Sequence, residues 1–254
     1  MQIHFLRHAT FSLKLKNTQL LIDPMLSKAK TLDSIPKSAN KLNPMVELPL
    51  SDVELSQVPG QITGVLVSHT HPDHWDPRAR ELLPKNTPIF CQPPDETRIR
   101  GAGFTNVTAI QNELSWNGIT FHLIDGEHGR GDNVKRLGPV SGFVVHSQGE
   151  PTIYIAGDTV WCSKVGDAIN NFSPDVIVVN AGAAFLNGGP ITMTAEDVVA
   201  TCEATPSSAR VVAVHMEVMN HCRLTREGLR QALAKEKLED QVVIPADGDI
   251  LKFQ

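Results

Sequence analysis

A chain of 254 residues has room for one large domain or two small ones, and at 41% hydrophobic and 20% charged it can bury a sizeable core. Its formal net charge of −5 gives no overall basic footprint for nucleic acid, while leaving room for a local patch. No apolar run approaches the roughly 18 residues of a membrane span.

The opening Met1-Gln2-Ile3-His4-Phe5-Leu6-Arg7-His8 lacks the basic start and long apolar core of a signal peptide, so a cytoplasmic location is expected. Residues 3–6 and 12–16 read as strands, the second alternating cleanly. A turn at Asn17-Thr18 leads to a third strand over 20–22, ending in Asp23-Pro24. The three predict an antiparallel meander. Residues 27–60 are polar and carry Pro36, Pro44, Pro49 and Pro59, which predicts a long irregular excursion. Such a loop is either a functional lid or pocket wall, or a mobile segment.

The apolar run 64–68 predicts a buried strand. Asp76 as N-cap with Pro77 at the first position predicts a short helix to residue 83. Strands are expected at 88–91, 107–110, 119–124, 142–145, 152–156, 176–180 and 210–214. Helices are expected at 96–100, 163–171, after Thr194-Ala195-Glu196-Asp197 (a capping-box pattern), and at 225–238, where Leu229, Ala232, Leu233 and Leu238 share a face. Residues 241–244 and 250–253 read as a closing pair of strands about the Asp247-Gly248-Asp249 turn. Strands outnumber helices, and meanders mix with strand-then-helix units. That predicts one α/β domain over 1–254, two sheets packed on each other with helices outside. Cys91, Cys162, Cys202 and Cys222 form no C-x-x-C pair and are expected to be reduced, mostly buried thiols.

The chemistry concentrates in His69-Thr70-His71-Pro72-Asp73-His74, four metal-ligand types within six residues at a strand's end. His69 and His71, two apart, project to one side of an extended backbone. Pro72 then turns the chain, so that Asp73 and His74 approach from another direction. A histidine-rich loop can be incidental, but this density after a buried strand points to metal binding. A two-metal site needs more ligands. His128, Asp158 and His215 each follow an expected strand and are the candidates.

His-x-His-x-Asp-His, a distant His, an Asp after a strand and a final His together resemble the signature of the metallo-β-lactamase fold superfamily. The resemblance covers essentially the whole chain. It implies a four-layer αββα sandwich with metals at one edge of the two sheets. Within the superfamily, Arg7-His8-Ala9-Thr10 and Leu21-Ile22-Asp23-Pro24 resemble the L-ascorbate-6-phosphate lactonase-like group. Carried over by position, His69, His71 and His128 would hold one metal, Asp73, His74 and His215 a second, and Asp158 would bridge them. The implied cofactors are two divalent ions, zinc first, with manganese or iron as alternatives. The implied chemistry is attack by a metal-activated hydroxide on a lactone, ester or phosphoester of a small anionic substrate. Asp73 and Asp158 would be the catalytic carboxylates.

Other residues are expected further out. Asp23 suits a carboxylate that orients a ligating histidine, or an ordinary Asp-Pro turn. His8 could point at the substrate, and Arg130 could anchor its anionic group or sit in solvent. Asn180 and the Gly-rich stretch 187–190 with Met193 fall near the same edge; His221 either lines the pocket or is a plain loop residue. Trp75 and Trp161 wall the site or pack the core. His4, His122 and His146 read as sheet histidines. Three rivals remain: a nuclease or phosphodiesterase, disfavoured by charge and the lack of space for an insertion; a mononuclear iron oxygenase; and a non-catalytic metal-binding protein. The expected partner is a small molecule, with neither nucleic acid nor membrane, and the excursion leaves a homo-oligomer open.

Overall fold

The computed structural model describes residues 1–254. Its first half opens with the expected meander, β1 (Gln2–Arg7), β2 (Thr10–Leu15) and β3 (Thr18–Ile22). The excursion that follows is irregular only as far as Ser51. The end of the expected loop, from residue 52 to 60, instead belongs to α1 (Asp52–Gln61). Ser51 and Glu54 exchange the two hydrogen bonds of a capping box there, and the buried Leu55 and Val58 hold the helix despite Pro59 inside it. Strand–helix units come next: β4 (Gly64–Val67), α2 (Pro77–Leu82), β5 (Ile89–Cys91), α3 (Glu96–Gly101) and β6 (Val107–Ala109).

The second half begins with a hairpin of β7 (Glu113–Trp116) and β8 (Ile119–Asp125), then α4 (Asp132–Leu137), β9 (Ser141–Ser147), β10 (Ile153–Ile155) and α5 (Ser163–Phe172). It continues with β11 (Val176–Asn180), a small hairpin of β12 (Phe185–Leu186) and β13 (Gly189–Pro190), α6 (Ala195–Glu203) and β14 (Arg210–Val214). It closes with α7 (Arg226–Glu236), β15 (Val242–Val243) and β16 (Ile250–Lys252). The closing strands are not a pair, which corrects the sequence reading. β15 joins β14 in parallel, whereas β16 crosses to the other sheet and pairs with β1. The 247–249 turn is a crossover between sheets, stitched by Phe5 N–H to the Asp249 carbonyl at 2.9 Å.

Two seven-stranded sheets result, ordered β16-β1-β2-β3-β4-β5-β6 and β15-β14-β11-β10-β9-β8-β7. Alternation along each strand sorts side chains into layers. Leu66 and Phe90 of the first sheet meet Phe121, Phe143 and Val178 of the second in a common core. On the outer face, Val65 and Val67 pack against Leu55, Val58, Ala79 and Ile99 of α1, α2 and α3. Across the molecule, Ile177, Val179 and Val211 pack against α5, α6 and α7 through Ile169, Val198 and Leu233. Strands covered on both faces explain the unbroken apolar runs at 64–67 and 176–179. The order of layers is αββα.

The pairings also fix where strands point. β3 to β6 are mutually parallel, and β1, antiparallel to β2, shares their direction. In the second sheet β10, β11 and β14 are parallel, and β8 shares their direction through β9. His8, Asp23, His69, His128, Asp158, Asn180 and His215 all follow the carboxyl ends of these strands. Such ends are where α/β sheets place ligand sites. No helix is long and apolar enough to cross a membrane.

Candidate metal centre

Backbone geometry delivers these side chains to one point. His8, Asp23 and His215 occupy the left-handed region, with φ of 61°, 41° and 71°. A non-glycine residue there costs roughly 1–2 kcal/mol and persists when its surroundings demand it. Each turns the chain sharply as it leaves a strand. Gly182 lies so close to the His215 carbonyl oxygen that a Cβ would overlap it. Gly157, at φ +71° and against the Ser141 carbonyl, makes the equivalent turn into Asp158.

The donor atoms form two facing groups. In the first, the His71 Nδ1 lies 3.0 Å from His69 Nε2 and 3.3 Å from His128 Nε2. In the second, His74 Nε2 and His215 Nε2 lie 3.3 Å apart, with Asp73 Oδ2 3.8 Å from each. Asp158 stands between them: its Oδ2 is 3.8 Å from His69 Nε2, 3.3 Å from His74 Nε2 and 3.7 Å from His128 Nε2, and its Oδ1 is 3.4 Å from His215 Nε2. His69, His74, His128, His215 and Asp158 are all buried.

The far nitrogens of the rings are tied down. His74 Nδ1 donates to Asp23 Oδ2 at 2.8 Å, and Asp23 also accepts from the Ser68 N–H at 2.7 Å and Ser68 Oγ at 2.6 Å. His69 Nδ1 lies 3.1 Å from Ser68 Oγ, and His128 Nδ1 donates to the Ile191 carbonyl at 2.8 Å. Hydrogens on those outer nitrogens leave the inner nitrogens with lone pairs. Several buried lone pairs and two carboxylates then converge, the donor atoms of each group lying within 4.8 Å of one another. Only a positive charge among them, a proton on His74 or a metal, offsets the repulsion of so many acceptors, and a metal makes them a ligand set. The residues therefore fit a metal.

Protonation follows the same logic. Burial pushes His69, His71 and His215 down, keeping them neutral. Burial opposes charge on His74 too, but Asp158, Asp73 and Asp23 outweigh it and raise that imidazole well above its ordinary value. Burial likewise opposes ionisation of Asp73 and Asp158. His74 and His8 overcome it at Asp73, and His215 and His74 at Asp158, so both carboxyls stay well below the usual range.

A family model described as "Beta-lactamase superfamily domain" matches residues 18–216 of this chain. The chain belongs to the β-lactamase superfamily. Across its full length it is 35% identical to the UPF0173 protein YddR of Bacillus subtilis, covering all of both chains. It is also similar to the isothiocyanate hydrolase from Delia radicum gut bacteria, with 37% identity, a TM-score of 0.93, and 100% and 99% of the two chains covered. A structure described as a possible metal-dependent hydrolase from Veillonella parvula gives 35% identity, a TM-score of 0.94 and the same coverage. The two large sheets are the metallo-β-lactamase fold. Family, full-length relatives and donor set together make this chain a metal-dependent hydrolase of that superfamily.

The remaining residues divide. Asn180 is buried and donates to Asp158 Oδ1 at 2.6 Å. His221 is buried with Nδ1 unpartnered. Of its two expected places, behind the ligands or at the substrate, His8 takes the first: it is fully buried, its Nε2 lies 3.2 Å from Asp73 Oδ2, and its ring lies 3.6 Å from that of His215. It stands inside the second donor group. Arg130, expected either to anchor the substrate or to sit in solvent, is half exposed and pairs with Asp197 Oδ1 at 2.6 Å, at the start of α6. Asp197 also closes the Thr194 capping box, a use of the carboxylate that hides its partner in the sequence. Trp75 packs on Phe104 in the core beneath α2, and Trp161 packs against the helical layer of the second sheet, so Trp75 is no wall of the site. Met193 is core as well, while its neighbour Ile191 carries the carbonyl that orients His128. No sequence signal marked that carbonyl. The hairpin that presents it, expected only as a Gly-rich loop, carries an Asn187-Gly188 turn pair that could have signalled it.

Proposed function

We propose that the two donor groups bind two divalent metals and that the protein hydrolyses a small molecule at an electrophilic carbon. The observation that carries this is the pair of facing groups joined by Asp158. His69, His71 and His128 would hold one ion, and Asp73, His74 and His215 the other, with Asp158 toward both. When bound, such ions supply Lewis acidity that brings the pKa of a water toward neutrality.

The protein's own residues do the rest. Asp23, Ser68 and the Ile191 carbonyl hold the imidazoles in one tautomer and orientation. The Asp73 side chain is 13% exposed against 4% for Asp158, so Asp73 is the carboxylate that faces solvent. Its Oδ2 is fixed against His8, which leaves Oδ1 to accept a proton from the attacking water and pass it on.

The full-length likeness to an isothiocyanate hydrolase makes R–N=C=S the first substrate class to consider. Hydroxide adds to the central carbon, the C–N π pair moves to nitrogen, and nitrogen takes a proton. The resulting thiocarbamate loses carbonyl sulfide and leaves the amine. Lactones and carboxylate esters share the first step, attack at an electrophilic carbon, and form the second class. The test is a panel of isothiocyanates, lactones, aryl esters and phosphodiesters on protein loaded separately with zinc, manganese and iron. Turnover of a carbon electrophile, lost in Asp73→Asn and Asp158→Asn, is expected. Turnover of phosphodiesters alone, or dioxygen consumption by the iron form, would overturn the assignment.

A further inference from the structure

Arg130 is paired with Asp197, so the anionic substrate that the family resemblance implies would find its partner elsewhere. One cavity supplies it. A space of about 360 Å³ is lined by Lys37, Arg136 and Arg223 together with Phe185, Asn187 and Gly188. None of its lining residues is acidic, although the chain carries a net charge of −5. Some surface arginines are neutralised locally, as Arg78 is by Glu81, Arg100 by Glu96 and Arg226 by Glu217. Lys37, Arg136 and Arg223 have no carboxylate partner. The Arg223 guanidinium is also pre-positioned, its carbon 3.2 Å from the centroid of the Phe185 ring.

The cavity adjoins the hairpin whose far end meets His128 of the metal centre. Its floor is the β12–β13 hairpin, whose two flanks both rest on the site. On one flank the Phe185 N–H donates to the His221 carbonyl at 2.9 Å, and Arg223 follows two residues later. On the same strand Asn133 donates to the Leu186 carbonyl at 3.2 Å, and on the other flank, just past β13, the Ile191 carbonyl holds His128. Arg136 lies one helical turn past Asn133 on α4. Lys37 is brought in by the excursion, which Asn220 ties down through Ile35 and Ala39 at 3.0 and 2.6 Å. Three segments distant in sequence thus each bring one cation to the same rim.

We propose that this cavity is the anion subsite of the substrate path, taking a carboxylate, sulfonate or phosphate at the end of the substrate remote from the reacting carbon. The proposal rests on the metal-hydrolase reading above. Phe185 offers an apolar surface for the arm between the two ends, and the planar guanidinium groups suit a planar or tetrahedral oxyanion.

The experiment uses protein loaded with cobalt, whose thiolate charge-transfer absorption reports a thiol bound at the metal centre without any turnover. The probes are ω-mercaptoalkanesulfonates from propane to hexane and the matching neutral mercaptoalcohols. At one chain length the sulfonate should bind about tenfold more tightly than the alcohol, the size expected of several partly exposed charge contacts. That preference should shrink with added salt. It should vanish in the variant Lys37→Gln/Arg136→Gln/Arg223→Gln, whose unchanged cobalt spectrum shows an intact centre. Equal affinities at every length in wild type, or a preference that survives in the triple variant, would overturn the subsite and leave the metal reading standing. Absence of any cobalt–thiolate band would remove both.

Discussion

His74 donates from Nδ1 to Asp23 Oδ2 at 2.8 Å, and this one hydrogen bond turns its Nε2 into the cluster. The two residues are 51 positions apart and sit on adjacent parallel strands' ends. A carboxylate behind a ligating imidazole raises its basicity and fixes its tautomer, and its loss typically costs about 10–100-fold in metal affinity. Asp23→Asn keeps the shape but not the charge. It is expected to weaken metal binding by about that factor, measured by competition with a chromogenic chelator. Unchanged affinity would mean that Asp23 serves only its turn.

In the metal-free protein, His74 is the imidazole held protonated among three carboxylates. Metal binding there must displace that proton, so affinity should rise with pH across the neutral range. Proton release on metal uptake, read by titration calorimetry in buffers of different ionisation enthalpy, checks this. No release near neutrality would contradict it.

Stability of the metal-free form has a sign that can be worked out. Burial lowers His8, His69, His71, His215 and His221 below their ordinary 6.5. Below pH 6.5 the unfolded chain therefore binds protons that the folded chain refuses, and stability falls with pH. His74 acts oppositely, but only above 6.5, where its raised value makes the folded state the better proton binder. Asp73 and Asp158, both lowered, add to acid lability below 3.8. Each unmatched proton is worth about 1.4 kcal/mol per pH unit. Urea midpoints should fall steeply from pH 6.5 to 5, and bound metal should flatten the slope. A flat profile without metal would contradict the assigned protonation states.

Arg7 makes a different prediction. It is completely buried and spends its guanidinium on the carbonyls of Val46, Met25 and Ser27 at 2.8, 3.0 and 2.8 Å. Burial lowers it to about 10, with Asp76, Asp247 and Glu47 favouring its charge. It pins the irregular excursion beneath the site. Arg7→Met strands three carbonyls and should cost about 3 kcal/mol, with faster hydrogen exchange concentrated in residues 25–46. Exchange unchanged in that segment would assign its order to other contacts.

Much of this was legible because it is local. The strand-end histidines and aspartates that cluster, the Asp76 and Thr194 caps and the apolar runs each announce themselves within a few residues. What was missed is non-local or locally contradicted. Pro59 argued against a helix that Ser51 and Glu54 nevertheless start. Arg130 and Asp197 are 67 positions apart, and only the fold brings them together. The closing strands look like a hairpin because alternation says nothing about which sheet a strand joins. Between its two expected places His8 could not be assigned, because its left-handed turn, which folds it back over His215, has no residue signature.

The most direct test is metal content by mass spectrometry on untagged protein, for wild type and His69→Ala. Close to two metals per chain in wild type, with loss in the variant, is the expected result and would also name the metal. One metal per chain would contradict the dinuclear centre, and no metal even after reconstitution would contradict the ligand assignment itself.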